Sequence, residues 1–449
     1  MKQTGVIFFP AFDWAISPTH PEREERLLYT RDQIFEEGIM DLPQIAELKP
    51  RMAEPKDIAR VHFCVPNVEA QATDAHLVAA GSALRIADAV MQKEVVNGFA
   101  IVRPPGHHAK TVAHGNRGFC NINNEAIMVE YLRKNYGLRK IAIVDTDVHH
   151  GDGTQDIFFN DPDTLFISFH QDGRTLYPGT GFIEEAGGPL AAGTTINIPL
   201  PPETTDVGIH YVLDHLVMPM LEEFQPDLVI NSAGQDNHYS DPLANMNFSA
   251  QGYARLNTKL NPDIAVLEGG YSVETALPYV NMGILMAMAD IDYSNLREPD
   301  YHQQHFKESE KNLTYIQRLV EKQLELFRGR QALIKRNREK HRDVFTESER
   351  IFYDTDYIDE RQNKRLTMCA ECSGLRTIDS TAHHQNGMVN RVFCISIPMH
   401  ACPGCLDAGK EAYASMCKMG QMYEYIYLQN KFNDEYRSFH VKTETEKVL

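Results

Sequence analysis

A chain of 449 residues exceeds the usual span of one domain, so one large domain with smaller pieces attached is expected. The formal net charge of -18 argues against a protein whose main business is nucleic acid, and it favours either cationic macromolecules as partners or plain solubility. No basic N-terminal region leads into an apolar stretch and no run of about 18 apolar residues occurs, so the sequence reads as a soluble, cytoplasmic protein without a membrane partner.

In chain order, short β-branched runs alternate with helical patterning from Met1 to about Ala289. Strands are predicted over residues 6–9, 99–102, 141–145, 165–169, 195–198, 228–232 and 264–267, with helices such as 123–135 and 205–224 between them. The alternation predicts an α/β domain over residues 1–292, with a single, mostly parallel sheet flanked by helices. Polar clusters follow four of the strands: RPPGHH after Val102, DVHHGDG after Thr146, GQDNH after Ala233 and GGY after Glu268. At the carboxyl ends of parallel strands these clusters open onto one crevice. The densest is IAIVDTDVHHGDGT, residues 141–154, where a buried-type strand runs into three acids and two histidines within eight positions. Such a run sets hard and borderline ligands at the lip of a sheet, where a divalent metal is held and water activated.

The pattern changes over residues 293–364, which read as a helical charged linker. Leu313, Ile316, Val320, Leu324 and Phe327 recur at helical steps as one amphipathic face. Residues 328–342 are then rich in arginine and lysine, a solvated face resting on the acidic main domain or a patch for nucleic acid or a partner.

A third module, residues 365–449, carries CAEC and CPGC. Cys369, Cys372, Cys402 and Cys405 have the spacing of a structural four-thiolate zinc site, since each pair supplies two corners of a tetrahedron from one tight turn. A redox or free-thiol role is the alternative. Residues 391–397 read as strand and 406–428 as helix, which suggests a treble-clef or zinc-ribbon arrangement; binding of DNA or protein by this module stays open. The other four cysteines are scattered, which fits a reducing compartment better than a disulfide framework.

Taken together and in one order, RPPGHHA at 103–109, GFCNINNEAI at 118–127, DTDVHHGDGTQ at 145–155, PGTG at 178–181, GQD at 234–236 with DPL at 241–243, and EGGY at 268–271 resemble the zinc-dependent histone deacetylase family. That family includes the acetylpolyamine amidohydrolases and acetoin-utilisation proteins. The resemblance covers roughly residues 6–289 and implies an arginase/deacetylase-like fold. It makes Asp147, His149 and Asp236 the catalytic zinc ligands, which leaves one coordination position open. A hydrogen bond from its other ring nitrogen should orient His149. It makes His107 and His108 the tandem histidines, leaning on Asp145 and Asp152, with His108 the principal general base and His107 an electrostatic partner. Tyr271 becomes the hydroxyl donor to the acyl oxygen. Gly118, Phe119, Tyr177, Leu243 and Gly270 would line the channel for the acyl-lysine stem. Tyr177 stands where phenylalanine is commoner and could add a hydrogen bond at the rim, and the bulky Asn237, His238 and Tyr239 could reshape that rim. Potassium is implied at Asp145, Asp147, His149, Ser168 and Phe169.

Leucine at 243, where polyamine-directed relatives carry an acid, favours acylated lysine in proteins or peptides over small acetylated amines as substrate. Two other classes compete: a two-manganese arginase-like hydrolase, and a module that binds acyl-lysine without cleaving it.

Overall fold

The computed structural model describes residues 3–299, 301–303 and 306–449. Its first ten strands are β1 (Thr4–Phe9), β2 (Ile45–Glu47), β3 (Phe63–Cys64), β4 (Asn97–Val102), β5 (Val112–Ala113), β6 (Ile141–Asp145), β7 (Thr164–Gln171), β8 (Thr195–Leu200), β9 (Leu228–Ala233) and β10 (Ile264–Leu267). All seven strands expected from the sequence are present, five of them longer by one or two residues at an end. Eight strands form one sheet in the order β2-β1-β4-β10-β9-β6-β7-β8. Every pairing in it is parallel. Helices cover both faces, so β4, β6, β7, β8 and β10 are buried throughout and read as continuous apolar runs. Alternate residues feed two cores: Phe99 and Ile101 pack into one, Ala100 and Val102 into the other.

Strands β4, β10, β9 and β6 are immediate neighbours at the centre of this sheet. They carry the four polar clusters at their carboxyl ends, so chain segments more than 160 residues apart meet at one edge.

The amphipathic helix forms over Glu310–Arg328 and buries Ile316, Leu319, Val320 and Phe327 in the main core. The basic helix Arg330–Lys340 buries nothing, and Arg330 pairs with Glu223 at 2.6 Å, in keeping with a solvated face on the acidic domain.

Beyond it the helical-linker expectation fails. Residues from Val344 onward are strands: β11 (Val344–Tyr353), β12 (Ile358–Thr367), β13 (Leu375–His384), β14 (Val389–Ile397), β15 (Tyr425–Asn430), β16 (Glu435–His440) and β17 (Thr445–Val448). They form a seven-stranded sheet in chain order, antiparallel except where β15 pairs parallel with β14. The crossover between those two is the helix Pro403–Met419, shorter than the expected 406–428 because Gly420 ends it and the aromatic run that follows enters the sheet. In β12, Glu360, Gln362 and Lys364 point inward while Arg361, Asn363 and Arg365 point out. Both faces are polar, which removes the apolar alternation that marks a strand in sequence. The knuckle, hairpin, knuckle and helix expected of the cysteine module are all present, set within this larger sheet.

The second sheet docks on the first domain through a small apolar core joining Phe63, Val65 and Val112 to Ile378, Val392, Cys394 and Tyr427. No helix among the described residues is long and apolar enough to cross a membrane.

Candidate active site

Asp147 and His149 follow β6, and Asp236 follows β9. Backbone N–H groups hold both carboxylates: Gly269 N donates to Asp147 Oδ2 at 2.7 Å, His149 N to Asp147 Oδ1 at 2.8 Å and Val148 N to Asp236 Oδ1 at 2.8 Å. Asp147 Oδ1 and Asp236 Oδ2 turn toward His149 Nδ1, at 3.1 Å from Asp147 and 3.2 Å from Asp236. Donor atoms about 2.0 Å from a tetrahedral zinc are separated by about 3.3 Å, so this set fits that ion. A side chain on Gly269 would overlap both carboxylates, which explains glycine there. Burial penalises both charges; His107 and His149 overturn that at Asp147 and hold it well below its ordinary value, whereas at Asp236 burial and the Asp147 charge prevail. Both acids are fully buried, but the His149 side chain is 12% exposed, so the cluster opens toward a cavity on that side. No partner for His149 Nε2 occurs among the described contacts. The ring is instead steadied edge-on by His108 and Tyr177, at 6.0 and 6.3 Å.

The two histidines after β4 meet the acids assigned to them. His107 Nδ1 lies 3.1 Å from Asp145, and His108 Nδ1 lies 2.8 Å from Asp152. Their surroundings differ. Burial disfavours charge on His107, but Asp147 and Asp145 outweigh it and raise its pKa to about 10. At His108 burial and the neighbouring His107 charge win, lowering it to about 3. Asp152 helps His108 little because it is shared with Arg117 at 2.6 Å and Lys110 at 3.1 Å. The two rings are therefore driven apart, His107 toward the charged form and His108 toward the neutral one.

A cavity of about 270 Å³ lies over these groups, lined by His107, His108, His149 and Tyr271 together with Gly118, Phe119, Tyr177 and Leu243. Tyr271 is held by its backbone N–H donating to Asp241 at 2.7 Å and by the Phe119 ring edge-on at 5.5 Å. Burial pushes its hydroxyl well above the ordinary tyrosine value, so it stays a proton donor. Gly270, expected in the channel wall, lies behind it: its φ is +121° and its carbonyl accepts from Arg26 at 2.7 Å. The rim hydrogen bond of Tyr177 exists, to Asp354 at 3.3 Å. Asn237, His238 and Tyr239 do not line the cavity. Asn237 donates to the Thr146 carbonyl at 2.9 Å, and His238 meets Glu298 at 3.1 Å. Ser168 and Phe169, on β7 beside Asp145, are fully buried next to the acid cluster.

Several supporting residues had no role in the sequence reading. Glu268 accepts from the backbone N–H groups of Gly106 and His107, at 2.7 and 3.0 Å, and so fixes the tandem-histidine turn. Arg26, paired with buried Glu22 at 2.7 Å, sits 5.0 Å over the Tyr271 ring. Glu268 could have been found as an acid ending a strand; Arg26, in an unremarked helical stretch, carried no signal.

The four cysteines converge at the other sheet. Sγ of Cys402 lies 3.6 Å from Cys369 and 3.9 Å from Cys372, close to the roughly 3.8 Å edge of a zinc–thiolate tetrahedron and far from a disulfide bond.

A family model for the histone deacetylase domain matches residues 64–283. A probable deacetylase of Archaeoglobus fulgidus is 46% identical over 325 residues, which span 66% of this chain and 89% of that protein. The chain belongs to the histone deacetylase family. This deacetylase is also 41% identical over 213 residues to the chloroplastic histone deacetylase 14 of Arabidopsis thaliana, covering 44% of the chain and 49% of that relative. A crystal structure of the HDA15 HD domain aligns with a TM-score of 0.63 at 27% identity, over 75% of this chain and 98% of the other. Zinc dependence is general to the family, and the donor set after β6 and β9 suits that ion. The second sheet of the deacetylase lies wholly outside the matched 64–283.

Proposed function

We propose that the enzyme removes acetyl and related acyl groups from lysine side chains of proteins or peptides. The observation that carries this reading is the convergence of Asp147, His149 and Asp236 beneath the same cavity that His108 and Tyr271 line. Asp147, His149 and Asp236 would hold zinc, which would supply a Lewis acid for the acyl oxygen and lower the pKa of water. His108, kept neutral by burial, takes a proton from the attacking water and returns it to the departing amine. His107, cationic between two carboxylates, stabilises the charge that builds up as water adds. The Tyr271 hydroxyl donates to the same acyl oxygen, while Phe119, Tyr177 and Leu243 hold the uncharged stem.

Potassium at Asp145, Asp147, His149, Ser168 and Phe169 would offset a cluster of acids that burial alone makes costly; Asp145 is already raised to about 6 by it. Zinc at the four cysteines would staple the second sheet. The free thiols suit a reducing compartment such as the cytoplasm.

Acetyl-lysine peptides and acetylated amines, offered to the zinc-loaded enzyme with and without chelator, test the reading. Turnover of peptides that chelation abolishes is expected. Turnover confined to small amines, or indifferent to chelator, would replace it.

A further inference from the structure

The turn between β11 and β12, residues 354–357, reaches from the C-terminal sheet to the mouth of the catalytic cavity. It is clamped there at several points. Tyr353, at its base, donates to the Val112 carbonyl at 2.9 Å. Asp356 accepts from Asn116 N at 2.5 Å. Asp354 Oδ1 accepts from Gly118 N at 2.9 Å and from the Tyr177 hydroxyl at 3.3 Å. These anchors set Asp354 in the wall of the cavity that also holds His108, Leu243 and Tyr271.

A carboxylate is costly in a channel shaped for an uncharged acyl stem unless a donor or a cation meets it. The protein supplies little of either beyond the two hydrogen bonds. Arg117, the guanidinium that feels Asp354, is committed to Asp152 at 2.6 Å. His20, which also feels it, is kept below its ordinary value by burial. Leu243 in the same wall is apolar. The unspent charge therefore faces whatever enters, on a protein whose overall charge of -18 already draws cations.

We propose that Asp354, delivered by the C-terminal sheet, is a specificity-determining residue that selects carriers bearing an ammonium or guanidinium beside the acylated amine. The proposal rests on the acyl-lysine reading above and adds what must flank the acyl group. A basic neighbour in a peptide and the second ammonium of an acylated diamine share this chemistry.

The test uses the full-length, zinc-loaded enzyme with two substrate pairs: acetyl-lysine peptides differing only by arginine or citrulline next to the acetyl-lysine, and an acetylated diamine against the matching acetylated monoamine. Turnover and competitive binding are read separately. The unaltered enzyme should favour the cationic member of at least one pair, through KM. Asp354→Asn, which keeps an oxygen for Gly118 N, should cut that preference on the order of fivefold, the factor of one solvent-edge charge pair. Asp354→Ser, with a shorter side chain, should give the same loss. A preference in the peptide pair assigns the charge to a flanking residue, and one in the diamine pair to a small amine. Absence of preference in the unaltered enzyme, or equal loss for both members of each pair in the variants, overturns the proposal. Binding preference without turnover of any carrier would support Asp354 while sinking the hydrolysis reading.

Discussion

His107 and His108 are adjacent in sequence and pushed in opposite directions, His107 toward the charged form and His108 toward the neutral one, because each ring meets a different balance of burial and neighbouring acid. His107 faces two carboxylates, Asp145 at 3.1 Å and Asp147 at 3.7 Å. His108 has one, already shared with two cations. Removing the neutral ring should therefore cost more than its size suggests: His108→Ala should lower kcat by about 10²- to 10⁴-fold, and Tyr271→Phe by about 10²-fold or more, with zinc still bound when measured by metal analysis. Undiminished turnover in either would remove that residue from the chemistry. A different histidine contributes to acid stability. His62 is fully buried, with Nδ1 against the Lys110 carbonyl at 2.8 Å and Nε2 accepting from Asn123 N at 2.9 Å, so both nitrogens are satisfied only in the neutral ring. Burial lowers its pKa to about 4. The unfolded chain takes up this proton near pH 6.5 and the folded one only near 4, so the stability it confers is complete above 6.5 and is lost as the pH falls toward 4. At pH 5 the loss is on the order of 2 kcal/mol. Denaturant melts at pH 7 and 5 on the native chain and on His62→Gln check this, the variant losing less between the two.

Among the elements, β12 departs furthest from its sequence signal. Its inward residues are mostly polar because they meet polar groups: Lys364 reaches Asp156 at 2.6 Å and also Glu349, Arg376 on β13 reaches Asp156 at 3.1 Å, and Glu360 accepts from Tyr353 at 2.8 Å. Glu349 in turn holds Lys110 at 3.1 Å, and Lys110 holds Asp152, so β11 stands three contacts away from His108. Buried carboxylates that lose one of two cations are destabilised even though a second remains, here Arg376 for Asp156 and Lys110 for Glu349. Lys364→Met should thus destabilise the chain by about 3 kcal/mol, read as a lower denaturant midpoint. A change within a few tenths of that value's error around zero would mean the cluster is solvated in solution. The central strands behave otherwise: β4, β6, β9 and β10 are β-branched or apolar runs buried by helices, and their type and position follow from sequence patterning alone.

Over the whole molecule, two sheets share one interface rather than being joined by a flexible linker. The apolar contact of Phe63 and Val112 with Ile378 and Val392 and the ion cluster beside it place the turn 354–357 at the catalytic mouth. The cysteine site lies at the ends of β12 and β13 and at the start of the helix Pro403–Met419, so a metal there ties together segments about 30 residues apart. Cys402→Ser should release zinc from this site, lower the unfolding temperature of the second sheet, and raise KM through loss of order at residues 354–357 while the catalytic zinc stays. An unchanged melting curve would show that the thiolates do not staple the sheet.

The convergence of Asp147, His149 and Asp236 was legible because each candidate ligand sits in a short motif directly after a buried strand, and a parallel sheet brings such strand ends to one edge. The four cysteines were legible because their pairing is local. What residues 344–367 do was not, since a strand that buries charges against charges shows no hydrophobic period. The contributions of Arg26, Glu268 and Asp354 depend on partners up to some 240 residues away. Local sequence determined the chemistry available at the sheet edge; long-range packing, which no short pattern encodes, decided that a second sheet would close over it and lend it a carboxylate.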